Sequence, residues 1–182
     1  MSDNAVVDRR VERTQAALWQ ALFSLLHELA WQDINVSTIC RRANVARSSF
    51  YLHFQNKQEL LDFGFETGMQ AARVEISGYG SNVDGLACLH WLVHHVHSVN
   101  GFENSKFVED SHIFARFQRA FAGLFMEEIA RRKVAVDEHV LAFTVGGVFS
   151  VLQVWAISGV GLPPQSVVDN LNEMVSGLMP DT

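Results

Sequence analysis

The stretch from Asn35 to Lys57 (NVSTICRRANVARSSFYLHFQNK) constrains this chain more than any other. Asn35 is an N-cap residue, since its side-chain oxygen can accept from the free amides of a first helical turn. Val36, Ile39, Cys40 and Ala43 follow at i, i+3, i+4 and i+7, one apolar stripe on a helix of about two turns. Asn44 stands where the chain must reverse, and Asn tolerates a left-handed backbone better than other non-glycine residues. The spacing predicts a second helix over Arg47–Phe54, with Phe50 and Phe54 facing inward and Arg47, Ser48, Tyr51 and Leu52 outward. Asn56 and Glu59 then restart a helix in the manner of a capping box. Two short helices joined by a tight turn, the second with a polar, basic and aromatic outer face, form a helix-turn-helix that can lay one helix in the DNA major groove.

The run Arg47-Ser-Ser-Phe-Tyr-Leu-His-Phe-Gln-Asn-Lys57-Gln-Glu-Leu-Leu61 resembles the TetR family of transcriptional regulators. Its Phe-Tyr-x-His-Phe-x-Asn-Lys pattern is typical of that family's recognition helix and the start of its fourth helix. The resemblance covers roughly residues 9–61, and beyond them it extends only to length and helical character. Asn44 replaces the usual glycine of the turn, and Ala46 replaces a serine cap worth ~1 kcal/mol. The resemblance implies an all-α protein, with a DNA-binding head over residues 1–56 and a helical effector-binding and dimerisation body over residues 57–182.

Arg47 at the start of a recognition helix can donate two bonds to guanine, the commonest specific base contact. Ser48 and Tyr51 can reach base edges or a thymine methyl. The resemblance implies that Ser49, Tyr51, His53 and Lys57 bind phosphates, Lys57 with help from a helix N-terminus. Ser37 and Thr38 sit where a hydroxyl could clamp the DNA backbone. Arg9, Arg10 and Arg13 are either a phosphate-contacting arm or an ordinary exposed patch.

The chain of 182 residues carries a net charge of −6, which looks wrong for a DNA binder until it is divided. Between Arg9 and Lys57 there are seven basic residues against three acidic, while residues 61–182 hold seven against fourteen. A local basic surface attracts phosphates even on an acidic molecule, because charges beyond ~10 Å are largely screened at ~0.1 M salt. Hydrophobic content of 48% with three prolines suits a folded, mainly helical chain without disordered linkers. No unbroken apolar run reaches the ~18 residues of a bilayer span, so no membrane partner is expected. The first residues lack the build of a signal peptide, and the two cysteines, Cys40 and Cys88, suit a reducing compartment; a cytoplasmic location is expected.

Helices are expected over Val7–Leu29, Lys57–Ser77, Val83–Val99, Ser111–Arg132, Asp137–Ser158 and Pro164–Met179, with a short one at Glu103–Val108. The penultimate helix is apolar on all sides, so one side is expected to meet a second copy of the chain. Gly146, Phe149, Ser150 and Gln153 are the candidate contacts of this homodimer. Gly64 and Gly68 mark sites of close packing or flexing in the fourth helix. Trp91, His94, Phe114, Phe117 and Phe121, with Phe102 and Phe107 beside them, could line a cavity for a small organic effector; plain core is the alternative for each. His90, His94 and His97 share one helical face, but i and i+7 stand ~10 Å apart, so no metal site is expected. The buried-face position of Cys40 argues against a redox switch. There is no glycine-rich phosphate loop, nucleophile motif or spaced carboxylate pair, so neither enzymatic activity nor a cofactor is expected.

The function implied is a repressor, binding a near-palindromic operator on double-stranded DNA as a homodimer and released by an effector. The alternative is a helix-turn-helix protein whose body mainly binds a protein partner or a metal.

Overall fold

The computed structural model describes residues 2–79, 83–98, 110–158 and 161–178, and these form eight α-helices and no strand. They are α1 (Ser2–Glu28), α2 (Val36–Ala43), α3 (Arg47–Tyr51), α4 (Lys57–Tyr79), α5 (Ala87–Ser98), α6 (Ser111–Arg131), α7 (Glu138–Ser158) and α8 (Pro164–Leu178). A single 3₁₀ turn, Trp31–Asp33, joins α1 to α2. The expected helix at Glu103–Val108, and Phe102 and Phe107, lie outside the described residues.

The head closes where its local chemistry directs. Leu18, Leu22, Leu25 and Leu26 bury one stripe of α1 against Ile34, Ile39, Phe50 and Phe54. Asn35 caps α2 by accepting from the Thr38 amide at 3.0 Å. Asn44 adopts the left-handed conformation (φ 53°, ψ 42°), which lets the Val45 amide reach the Cys40 carbonyl at 3.0 Å and close the turn. Arg42 ties α2 to α1, its guanidinium gripping both carboxylate oxygens of Glu28 at 2.8 and 2.6 Å. Helix α3 is shorter than the spacing predicts, ending at Tyr51, although the Phe54 amide still reaches the Phe50 carbonyl at 2.9 Å. Its last turn gives way to the cap of α4, where Asn56 accepts from the Gln58 and Glu59 amides at 2.9 and 3.0 Å. Glu59 reaches back to the amide of Gln55, one residue beyond the position of a standard capping box.

Helix α4 belongs to both halves. Its first turns pack in the head, with Leu60 and Leu61 fully buried and Phe63 against Phe54 at 5.3 Å between ring centroids. At Gly64 the α1 residue Trp19 lies flat on the backbone, and a Cβ there would come within 2.0 Å of the indole. A second bridge runs through α6. Asp110 caps α6 by accepting from the His112 and Ile113 amides, and its other oxygen takes the Trp31 amide of the head at 3.2 Å. His112 stacks on Trp31 and meets the Gln58 amide group at 3.2 Å, while Arg116 pairs with Asp62 of α4.

Helix α5 starts at Ala87, four residues later than expected. Gly85 bends the chain at φ +79°, which no continuing helix allows, and a Cβ there would strike Asn172 of α8. Among the described residues the start has no local side-chain cap. Instead Glu128 of α6, buried, accepts from the Ala87 and Cys88 amides at 2.8 and 2.7 Å, and Asn172 accepts from the Leu86 amide at 2.8 Å. Arg132 pairs with Glu128 at 3.0 Å.

Helix α7 corrects one expectation. Over Glu138–Ile157 it is long and apolar enough, by length and composition, to cross a membrane. Thr144, Ser150 and Gln153 interrupt the apolar residues, so the sequence holds no unbroken apolar run of that length. One face, with Val145, Val148, Phe149 and Leu152, is buried against neighbouring helices. The other face is bare: Phe143 is 68% exposed, Val154 66% and Ile157 56%. All-round apolarity therefore does not mean all-round burial within one subunit.

The Glu128 cap predicts a measurable loss. Burial alone would raise its carboxyl pKa, but the Cys88 and Ala87 amides and Arg132 outweigh it and leave the pKa below the usual value. A lowered folded pKa gives stability that is full above the unfolded value and is lost as pH falls through the folded one. Glu128→Ala is expected to lower urea-measured stability by ~2–4 kcal/mol at neutral pH, with the gap from the parent narrowing below about pH 4. A gap that does not vary with pH would refute the ionised cap.

Candidate nucleic-acid interface and effector cavity

The outer face of α3 carries Arg47, Ser48, Tyr51 and Leu52, all exposed. Phe50 and Phe54 anchor the opposite side in the head core, so this face is fixed in orientation. Arg47 and Tyr51, one turn apart, hold each other: Arg47 Nη2 donates to the Tyr51 hydroxyl at 3.3 Å, and the guanidinium lies 5.7 Å from the ring centroid. Leu52 is 81% exposed, an apolar surface suited to a thymine methyl. Ser49 and His53 are half-buried at the flanks. Ser37 is exposed, whereas Thr38 gives its hydroxyl hydrogen to Asn35 Oδ1 at 3.2 Å and keeps only acceptor capacity outward.

Lys57 needs correction. Its ammonium points into the head, donating to the Trp31 and Ile34 carbonyls at 2.5 and 2.7 Å and lying 4.1 Å over the Trp31 ring. Partial burial lowers its pKa, opposed by Asp110 and Asp33. Two of its three donors thus close the α1–α2 connection, and the phosphate role implied by resemblance does not describe this geometry. Arg41 is better placed for that role. It is exposed, shares the outer face of α2 with Ser37 at i, i+4, and has no ion-pair partner among the described residues. The i, i+4 relation to Ser37 was the available signal.

A cavity of about 230 Å³ opens between α1, α4, α5 and α6. Trp19, Phe23 and His27 come from α1, and Gly64, Phe65, Gly68 and Met69 from α4. Trp91 and His95 of α5 and Phe117 of α6 complete the described wall. Trp91 is pinned by its indole N–H, which donates to Glu75 Oε2 at 3.1 Å. The other Glu75 oxygen accepts from Tyr79, whose phenol is pushed up to about 12 by burial and this bond. Of the expected lining residues, Trp91 and Phe117 are present and His94, Phe114 and Phe121 are not. Phe114 and Phe121 instead surround Phe149 with ring centroids 5.5 and 5.6 Å away. His94 turns from the cavity to stack on His90 at 4.4 Å. Trp19, Phe23 and His27 stand in the head by chain position, and no spacing in the sequence ties them to the body. His95 lies off the stripe shared by His90, His94 and His97, and it is His95 that lines the cavity.

Phe149 is likewise not an interface residue, being 1% exposed inside that ring cluster. Ser150 lies on the bare stripe of α7 with Phe143, Gly147, Val154 and Ile157, its hydroxyl bonded to the Gly146 carbonyl at 2.9 Å. Gly146 and Gln153 are half-buried beside it. Among the described residues no three His, Cys, Asp or Glu side chains stand close enough to hold a metal. His97 is drawn off to stack near Trp155.

Residues 20–62 match the family model for bacterial regulatory proteins of the tetR family. The chain is 41% identical over 71 residues to the HTH-type transcriptional regulator YxbF of Bacillus subtilis (strain 168), which is 38% of this chain and 18% of that protein. It is 40% identical over 53 residues, 29% of this chain, to the dhaKLM operon transcriptional activator DhaS of Lactococcus lactis. The chain spans 28% of the length of DhaS in that match. Over nearly the whole fold it is similar to a TetR transcriptional regulator from Streptococcus agalactiae 2603V, with a TM-score of 0.66 at 23% identity, covering 95% of this chain and 99% of that one.

Three substitutions separate these roles. Arg47→Ala is expected to weaken specific DNA binding by ~1–3 kcal/mol and relax one base position per half-site. Retained base preference in a randomised-site selection would remove Arg47 from base reading. Lys57→Ala is expected to lower the unfolding midpoint by loosening the Trp31 turn, and to leave the salt slope of DNA binding unchanged. Arg41→Ala should reduce that slope by about one per subunit with stability intact. The reverse pattern for Lys57 and Arg41 would show the lysine on phosphate after all.

Proposed function

We propose that the chain, whose residues 20–62 match the family model for bacterial regulatory proteins of the tetR family, is a ligand-responsive transcriptional regulator of that family acting as a homodimer on a near-palindromic operator. The observation that carries this reading is the rigid presentation of Arg47, Ser48, Tyr51 and Leu52 on one outer face. Each subunit would lay α3 in the major groove, the two recognition helices about one turn of DNA apart. Phosphate contacts from Arg41, Ser37, Ser49 and the exposed Arg9, Arg10 and Arg13 would set the register.

The homodimer is supported by the bare stripe of α7, which continues onto α8 through Met174 and Leu178. A groove lined by Phe143, Gly147, Val151, Leu171 and Met174 separates the two helices. An apolar surface of this kind in contact with water marks an interface. Two copies joined there bury it and place two heads on one duplex; a single head covers only ~600–1,000 Å² of protein surface on DNA. The same pairing supports a location with the DNA, in the cytoplasm, over insertion of α7 in a membrane.

The cavity supports effector control. It touches α1 of the head and α4, the helix that connects head to body, so an occupant between them would alter the separation of the two heads. By linkage, effector and operator then weaken each other by the same factor, typically ~1–3 kcal/mol. Repression is the sign proposed, because a dimer seated on an operator blocks polymerase without further contacts. The sequence match to the activator DhaS spans 29% of this chain, and the structural likeness to DhaS, over 92% of this chain at 21% identity and a TM-score of 0.59, concerns the fold and carries no sign. A gel shift on DNA flanking the protein's own gene, with a reporter fused to that region, tests the reading; no retarded complex, or a reporter that rises with the protein, would defeat the operator or the sign respectively. Phe143→Asp or Val154→Asp should yield folded monomers by sedimentation, with operator affinity lowered ~100-fold or more; a wild-type monomer at micromolar concentration would remove the dimer.

A further inference from the structure

We propose that Leu52 is a base-reading residue, its side chain packing on the 5-methyl group of a thymine in each half-site, about two base pairs from the base that Arg47 reads. This rests on the operator reading above and names what part of the DNA that face selects.

The outer face of α3 consists of two short rows. Arg47 and Tyr51, at i and i+4, make one, with the guanidinium held beside the phenol ring. Ser48 and Leu52, also at i and i+4, make the other. The first row offers charge and hydrogen-bond donors. The second ends in a leucine that is 81% exposed and takes no part in the head core. A lone exposed leucine is ordinary on a protein surface. Leu52 differs in standing on the same face as Arg47, Ser48 and Tyr51, and its direction is fixed. It keeps a right-handed helical backbone (φ −74°, ψ −20°), its amide donates to the Ser49 carbonyl at 3.3 Å, and the buried Phe50 and Phe54 anchor the chain on either side. Laying α3 in the major groove therefore brings Leu52 to the base edges.

The major groove shows one apolar group, the thymine methyl; the other base-edge groups there are hydrogen-bond donors or acceptors. A leucine set against a cytosine amine or a guanine carbonyl would strip water from a polar group and replace no bond. Set against the methyl, it removes two apolar surfaces from water at once. Residue type and placement together select thymine. The spacing follows from helix rise. Leu52 stands five residues after Arg47. For a helix lying along the groove this is ~7.5 Å at ~1.5 Å per residue, or about two base-pair steps of ~3.4 Å.

The test uses a duplex operator selected from randomised DNA by the full-length protein, with affinity read by fluorescence anisotropy. Each thymine of the half-site is replaced in turn, in both half-sites together, by deoxyuridine, which removes the methyl and keeps every hydrogen-bonding group. One position is expected to weaken binding about fourfold per half-site, ~15-fold for the pair, the worth of one buried methyl group. It should lie about two base pairs from the position at which Arg47→Ala relaxes preference. Leu52→Ala should leave the unfolding midpoint unchanged, weaken binding to the parent operator, and bind the thymine and uracil duplexes within about twofold of each other. The proposal is overturned if no thymine responds to loss of its methyl. It is overturned if Leu52→Ala keeps the response, which would assign it to DNA stiffness or another side chain. A responding position more than about four base pairs from the one Arg47 reads overturns it too. An operator that is selected but insensitive to uracil defeats this proposal alone, whereas failure to select any sequence defeats the regulator reading and this proposal with it.

Discussion

The connection between α1 and α2 has no side chain of its own to satisfy the Trp31 and Ile34 carbonyls, and the rest of the structure depends on how they are met. Lys57, the first residue of α4, meets both. The aligned amides at the start of α4 are a poor place for a cation by helix-dipole reasoning alone. Two carbonyl acceptors and the face of Trp31 offset that cost. The same indole stacks on His112, and the amide of the same residue bonds Asp110, so the head's connecting turn is held at once by α4 and by the start of α6. Orientation of the recognition helix is therefore set by the body as well as by the head's own core.

Under the proposed effector control, this arrangement would give the cavity its leverage. One wall is α1, another is α4, and the two meet above it where Trp19 lies on Gly64. Protein interiors are close-packed, so a guest between these helices would displace them together instead of being absorbed by slack. Phe117 lies on the cavity wall and Asp110 caps the same helix two turns earlier, at the head contact. A shift of α6 would thus reach Trp31 directly. The path is short, a few packed side chains, and each link is a contact between rigid helices.

Helix α7 shows how one composition serves two surfaces. Phe114, Phe117 and Phe121 pack around Phe149, and the opposite stripe of Phe143, Val154 and Ile157 stays open. Gly147 and Ser150 on that stripe are small, which would let the partner helix of the proposed homodimer come close.

The sequence by itself determined the head. The Asn35 cap, the left-handed Asn44, the uncapped Ala46 and the inward Phe50 and Phe54 are local consequences of residue type and helical spacing, and each was legible without coordinates. So was the all-helical body, because apolar periodicity specifies a helix wherever it is buried. What tertiary structure decided is which groups separated in sequence come together. Local signals could not show that Glu128, forty residues away, caps α5, or that Lys57 turns inward to carbonyls at 31 and 34. Nor could they show that Phe149 faces the core while Phe143 does not, since every side of α7 reads as apolar. The cavity belongs to the same class: α1 contributes Trp19, Phe23 and His27, and His95 replaces His94, because helix packing angles select the facing residues and periodicity fixes only the stripe they lie on.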